Sequence, residues 1–98
     1  MSEVSFSKFG SRGSGPRMAE ISTSGDYVNT SGAMKLTAFV DVDTGATDSV
    51  TIESSPDGST WYTEVSAMSS DGTVSLKPAP YYRATFSANS KVTIYGGR

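Results

Sequence analysis

Apolar and polar side chains alternate with a period of two through most of this chain. Over 34–42, Met34, Leu36, Ala38, Val40 and Val42 fall on one face and Lys35, Thr37, Phe39 and Asp41 on the other. That is the pattern of a half-buried β-strand. The same period runs through Val50, Thr51, Ile52 and Glu53, returns at Trp61, Thr63 and Val65, and recurs at Tyr82, Ala84 and Phe86 and at Val92 and Ile94. Gly, Asn, Asp and Pro punctuate these runs, and no segment carries the spacing of an amphipathic helix. The pattern predicts strands at 17–23, 34–42, 49–54, 60–66, 73–77, 81–87 and 91–95. About seven short strands with closely spaced turns predict an all-β chain, a single small antiparallel β-sandwich or barrel. Inward alternation gives it a core of Met34, Leu36, Val40, Val50, Ile52, Trp61, Val65, Val74, Leu76, Tyr82, Phe86, Val92 and Ile94.

The clearest single element is the hairpin over 50–65. Pro56 presets the φ of a type I turn, Asp57 can bond its own backbone, and Gly58 supplies the positive φ that closes the loop. Further turns are expected at Thr44-Gly45-Ala46, Asp71-Gly72 and Ala88-Asn89-Ser90. Phe39, Tyr62, Tyr81 and Tyr95 fall on outward positions, where aromatic residues mark protein–protein contact. A register slip of one residue would exchange the two faces, so half of these side chains turning inward remains an open reading.

Ahead of the sandwich domain at 17–98 lies a Ser- and Gly-rich segment, 1–16, read as an extended N-terminal arm. Two readings of it stand side by side. One is a flexible leader; the other is an arm that orders on a neighbouring subunit, with Val4, Phe6 and Phe9 as anchors and Lys8 and Arg12 as charge partners.

Charge supports the division. Residues 1–17 carry Lys8, Arg12 and Arg17 against Glu3, a net +2, while the remainder carries −4. The whole 98-residue chain, at −2, lacks the basic excess of a nucleic-acid binder. Charged residues make up 18% of it, below the quarter or so usual for a soluble domain. No apolar run approaches a transmembrane helix, and the N-terminus has no apolar signal core, so neither a membrane partner nor a secretory route is expected.

The chemical inventory is short. Cysteine and histidine are both absent, which removes disulfides, thiolate chemistry, the commonest general base and the commonest metal ligand. Asp41, Asp43 and Asp48 crowd one turn, and Asp41-x-Asp43-x-Gly45 echoes the start of a calcium loop, but the later ligand positions are missing. Solvated turn aspartates are the simpler reading, so neither a metal nor another cofactor is expected. Glu53 and Glu64 would face solvent on adjacent strands without a cleft for acid–base work. Trp61 beside Tyr62 admits a sugar-stacking reading, against which a lone Trp after a hairpin turn is more simply a core plug. The chain is expected not to be an enzyme.

The segment Val50-Thr51-Ile52-Glu53-Ser54-Ser55-Pro56-Asp57-Gly58-Ser59-Thr60-Trp61 resembles a hairpin common in small β-rich virion proteins of tailed bacteriophages. Tyr81-Tyr82-Arg83-Ala84 and Val92-Thr93-Ile94-Tyr95 resemble the later strands of that group. The same hairpin occurs in discoidin-like domains, which are considerably longer. The virion resemblance implies a head decoration (cement) protein or head–tail component, assembled in the bacterial cytoplasm and located in the virion. It implies the major capsid protein or another virion protein as partner, and a homo-oligomer, for which a trimer is the working expectation. The expected contact residues are Val4, Phe6, Lys8, Phe9, Arg12, Phe39, Tyr62, Tyr81 and Tyr95, with Arg17 adding to electrostatic steering. The alternative is a carbohydrate-binding or receptor-contacting sandwich module.

Overall fold

Buried and exposed side chains alternate along the strands of the computed structural model, which describes residues 2–8, 17–31 and 33–97. Among these residues the strands are β1 (Glu3–Val4), β2 (Ser7–Lys8), β3 (Arg17–Ile21), β4 (Tyr27–Asn29), β5 (Lys35–Asp41), β6 (Val50–Ser55), β7 (Tyr62–Met68), β8 (Gly72–Leu76), β9 (Tyr81–Thr85) and β10 (Lys91–Gly97). A 3-10 turn at Thr44–Ala46 occupies the first expected turn. Two five-stranded sheets result, ordered β1-β4-β9-β6-β7 and β2-β3-β10-β5-β8. From β3 onward the chain changes sheet at every connection except the β6–β7 hairpin. The eight strands β3 to β10 therefore wind as a jelly roll, a double-sheet form of the Greek key. All seven expected strands form, each within two residues of its expected bounds.

The layer between the sheets is dry. Ile21, Val28, Val50, Ile52, Tyr82, Val92 and Ile94 are fully buried there, and each large apolar side chain so placed stabilises the fold by about 1.5–3 kcal/mol. Leu36, Val40 and Leu76 join them as expected, while Val65, Val74 and Phe86 pack at the margin and are half-buried. Two expected core residues lie elsewhere. Met34 is 66% exposed, because Ala33 and Phe6 fill the end of the layer that its alternation would have reached.

Trp61 lies on the outer side of its sheet. The β6–β7 pairing shifts register between Val50 and Ile52 and again between Ile52 and Glu53. Each extra residue in β7 is a bulge that reverses which way the following side chains point. Ala67, at φ 43°, marks one of them.

The first described residues are not a separate arm. β1 pairs in parallel with β4 at the edge of one sheet, and β2 pairs with β3 at the edge of the other. Residues 2–8 thus strap across one side of the sandwich, and Val4 and Phe6 pack on its core. The cause is local: β3 and β4 would otherwise end their sheets with unpaired backbone groups, and Gly96 leaves a slot for an aromatic ring. A Cβ at Gly96 would come within 2.6 Å of Phe6 Cζ and 2.9 Å of Leu36 Cδ2. Lys8 contributes its backbone opposite Arg17. Phe9, Arg12 and the rest of 9–16 lie outside the described residues, so the expected contacts of those two are not placed.

The crossing from β8 to β9 is tied by buried polar groups. Tyr82 Oη donates to the Lys77 carbonyl at 2.5 Å, five residues upstream, the device known in Greek-key sandwiches as a tyrosine corner. Burial first, and the Glu64 carboxylate second, push this phenol's pKa up to about 12. Thr30 Oγ1 donates to the Ala79 carbonyl from the other side.

Gly96→Ala is expected to destabilise the protein by about 1–3 kcal/mol, as overpacking does. Phe6→Ala removes one of the two colliding groups, so the double variant should lose less than the sum of the single ones. Urea denaturation of the four proteins checks this, and strict additivity would refute the plugged slot.

Candidate interaction surface

Cross-strand register sets the outer face of the β2–β8 sheet, since residues directly opposite share a face. One row runs Ser7, Met18, Tyr95, Thr37 and Ser75; the next runs Glu20, Thr93, Phe39 and Thr73. Alternation of Met18 against the buried Ala19 and Ile21 turns the methionine outward. Met18, Phe39 and Tyr95 are 36%, 47% and 36% exposed, and the Phe39 and Tyr95 rings meet edge-to-face at 6.2 Å. Hydroxyls of Thr and Ser surround them. Charged residues stand at both ends of the face, Lys35 opposite Gly97 and Asp41 opposite Lys91, and Glu20 lies within it, in the row of Phe39. Lys91 also reaches Glu20 at 3.5 Å, a surface pair of little energetic weight.

The outer face of the other sheet is built differently. Tyr27 packs against Trp61 at 6.3 Å and against Tyr81 at 6.1 Å. The Arg83 guanidinium lies 4.5 Å from the Trp61 ring centroid while its Nε donates to Glu53 Oε1 at 2.7 Å. All five side chains are half-buried and already occupied with one another. Tyr62 lies elsewhere again, 59% exposed on edge strand β7 and opposite Ser54.

The single aromatic flank expected from the sequence is therefore split. Phe39 and Tyr95 come together, Tyr81 belongs to the opposite sheet, and Tyr62 stands at an edge. Met18 and Tyr27 were missed. Met18 was legible from Ala19 and Ile21, whereas the three residues of β4 are too short a run to show a period.

The turn aspartates serve the fold. Asp48 is buried, and its Oδ1 accepts from the backbone of Ser49 and from both the backbone and hydroxyl of Ser87. Its Oδ2 accepts from Ala88 N–H and, at 2.6 Å, from Ser90 Oγ. The Ser90 bond, followed by those of Ser87 and Ala88, outweighs the cost of burial and holds the carboxyl far below the ordinary aspartate range. Asp43 accepts from Asn89 N–H, so two carboxylates organise the β9–β10 turn, while Asp41 lies on the outer sheet face. Among the described residues no three of Asp, Glu, His and Cys gather as a metal site.

No family model matches this sequence, and no curated protein matches it. Among solved structures, the fold is similar to hydroxypropylphosphonic acid epoxidase from S. wedmorenis, with a TM-score of 0.50 and 10% identity over 85% of this chain and 42% of that one. A cobalt(II) form of HppE in complex with substrate is similar to the same degree, at 0.50 and 10%, over 85% of this chain and 43% of that one. The chain spans less than half the length of these enzymes, and at such identity the likeness is one of fold alone.

Asp48 makes stability depend on pH with a definite sign. Its folded pKa is depressed, so its contribution is complete above the ordinary value of 3.8 and is lost as the pH falls below that. Asp57, lowered by the Thr60 and Ser59 N–H groups, acts with the same sign. Asp48→Asn should lower the melting temperature at neutral pH, on the order of 5 °C, and flatten the acid slope. Thermal melts across the acid range check it, and an unchanged slope would overturn the assignment.

Proposed function

We propose that this chain is a non-enzymatic structural protein that assembles through the outer face of its β2–β8 sheet. Its first partner is a second copy of itself, and a tailed-phage virion is the setting that its hairpin resembles. The observation that carries the reading is the exposed Met18–Phe39–Tyr95 patch, bordered by threonine and serine, with Lys35 and Asp41 at opposite ends of β5 and Glu20 beside it on β3. The other sheet's aromatics are spent on one another, and Val4 and Phe6 are spent on the core, so adhesion by a free arm at those residues is not carried forward.

The charges at the ends of the face select the partner. Along β5 the outward residues run Lys35, Thr37, Phe39 and Asp41. A two-fold axis across the strands, between Thr37 and Phe39, lays this strand antiparallel on its copy. Lys35 then meets the copy's Asp41, Phe39 meets Thr37, and Tyr95 meets Thr93. Such an isologous contact is self-complementary, which favours a two-fold pairing over the expected trimer.

The five strands, two to seven residues long and about 4.8 Å apart, give a face of roughly 400 Å², about half the ~800 Å² per partner of a standard interface. A contact of that size is weak alone and suits an assembly in which many copies act together.

Sedimentation equilibrium should show concentration-dependent dimers. Lys35→Asp and Asp41→Lys should each weaken association by about tenfold, their combination in one chain should restore it, and Phe39→Asp should abolish it without lowering the melting temperature. Monomers at every concentration, or a double variant no better than the single ones, would sink the self-association. Absence of the chain from purified particles of a phage that encodes it would sink the virion setting.

A further inference from the structure

Beside edge strand β7 lies an open cleft of about 530 Å³, a volume typical of small-molecule sites. One wall is the β6–β7 hairpin, with Ser54, Pro56, Tyr62 and Glu64; the other is the crossing from Lys77 to Pro80. Pro78 and Pro80 have no N–H to extend the β8 ladder, and their φ is restricted. The carbonyls of Lys77 and Ala79 are held by Tyr82 and Thr30, so this wall is fixed from behind.

The polar groups in the cleft are unequally used. Glu64 is a bulge residue whose side chain is 18% exposed. Its Oε2 accepts from Ser54 Oγ at 2.7 Å and pairs with Lys77 Nζ at 3.3 Å. Among the described residues, its Oε1 accepts no hydrogen bond from the protein. Lys77 is 69% exposed and keeps donors to spare. Tyr62 presents an exposed ring at the same cleft.

We propose that this cleft is a saccharide-binding site, in which a pyranose ring lies against Tyr62 while its hydroxyls donate to Glu64 Oε1 and accept from Lys77 Nζ. A sugar ring offers an apolar C–H face and, at its edge, neighbouring hydroxyls that both donate and accept. The cleft supplies the complement of each: an aromatic face, a free carboxylate oxygen and an ammonium.

Two competing occupants fit less well. A proline-rich peptide would stack on Tyr62, but its prolines carry no N–H, so Glu64 Oε1 would be desolvated without a donor. A purely apolar ligand would bury the same oxygen at the same cost. The proposal is independent of the sheet-face dimer, since Tyr62 and Glu64 lie on β7, in the opposite sheet.

The test uses the full chain, amide-resolved NMR and five probes: cellobiose, maltose, lactose, chitobiose and a decaproline peptide. At least one sugar should shift the amides of Tyr62, Glu64 and Lys77 with millimolar affinity. Tyr62→Ala should weaken that binding by about tenfold, Glu64→Gln should also weaken it, and Tyr62→Phe should leave it intact. The tyrosine is exposed, so its variants should melt with the wild type; the Phe variant separates loss of stacking from loss of fold. Sugars that leave all three amides unmoved would overturn the assignment. So would sugar binding that survives Tyr62→Ala, or decaproline alone occupying the cleft.

Discussion

Ile21, Val28, Ile52 and Ile94 meet between the two sheets with no exposure to water, and each comes from a different strand. Burying them requires β3, β4, β6 and β10 to keep their period of two in phase. A slip of one residue in β3, β6 or β10 would put an isoleucine into solvent and a threonine or glutamate into the layer. That demand makes the outer faces predictable. Once Ile94 and Ala38 point in, Tyr95 and Phe39 must point out, and the register of β10 with β5 sets them on adjacent strands. The outward placement of Phe39 and Tyr95 is a by-product of the core's phase.

A dry layer this small also constrains the ends of the sandwich. Strands that change sheet at nearly every connection leave turns whose backbone N–H and C=O groups are cut off from the ladders. Asp48 collects the donors of the 87–90 turn, Tyr82 and Thr30 collect the carbonyls of the crossing at 77–80, and Asp57 collects the hairpin's N–H groups. Among the described residues no buried side-chain polar atom is left without a partner. Acidic residues that a sequence reader would examine for metal binding are mostly engaged as turn acceptors, and this explains how a histidine-free chain uses its carboxylates.

Alternation made most of the fold legible, and its failures have physical causes. The seven strands announced by Leu36, Ile52, Tyr82, Ile94 and their neighbours all formed, because each carries enough turns of the period to show its phase. β4 contributes only Tyr27, Val28 and Asn29, and two-residue β1 and β2 exist because sheet edges and the Gly96 slot receive them. Nothing local in Glu3–Val4 or Ser7–Lys8 specifies a strand. Trp61 was read inward because it keeps step with Val65 by counting, yet the bulges of β7 break that count. A bulge leaves no mark in an alternation pattern except as an apparent conflict, here between Trp61 and its large, half-polar ring. The division of the outward aromatics between two sheets was not legible either, since strand order is a property of the whole winding.

The two outer faces then differ in how their aromatic side chains are engaged. On the β1–β7 sheet, Arg83 satisfies Glu53 with its Nε and Trp61 with its plane, while Tyr27 bridges Trp61 and Tyr81. That arrangement shields its own apolar surface and offers a newcomer little that is unpaired. On the β2–β8 sheet no guanidinium lies over Phe39 among the described residues, and the edge-to-face pair with Tyr95 leaves Phe39 nearly half exposed. Threonine and serine around it lose little side-chain entropy on burial and can bond across an interface.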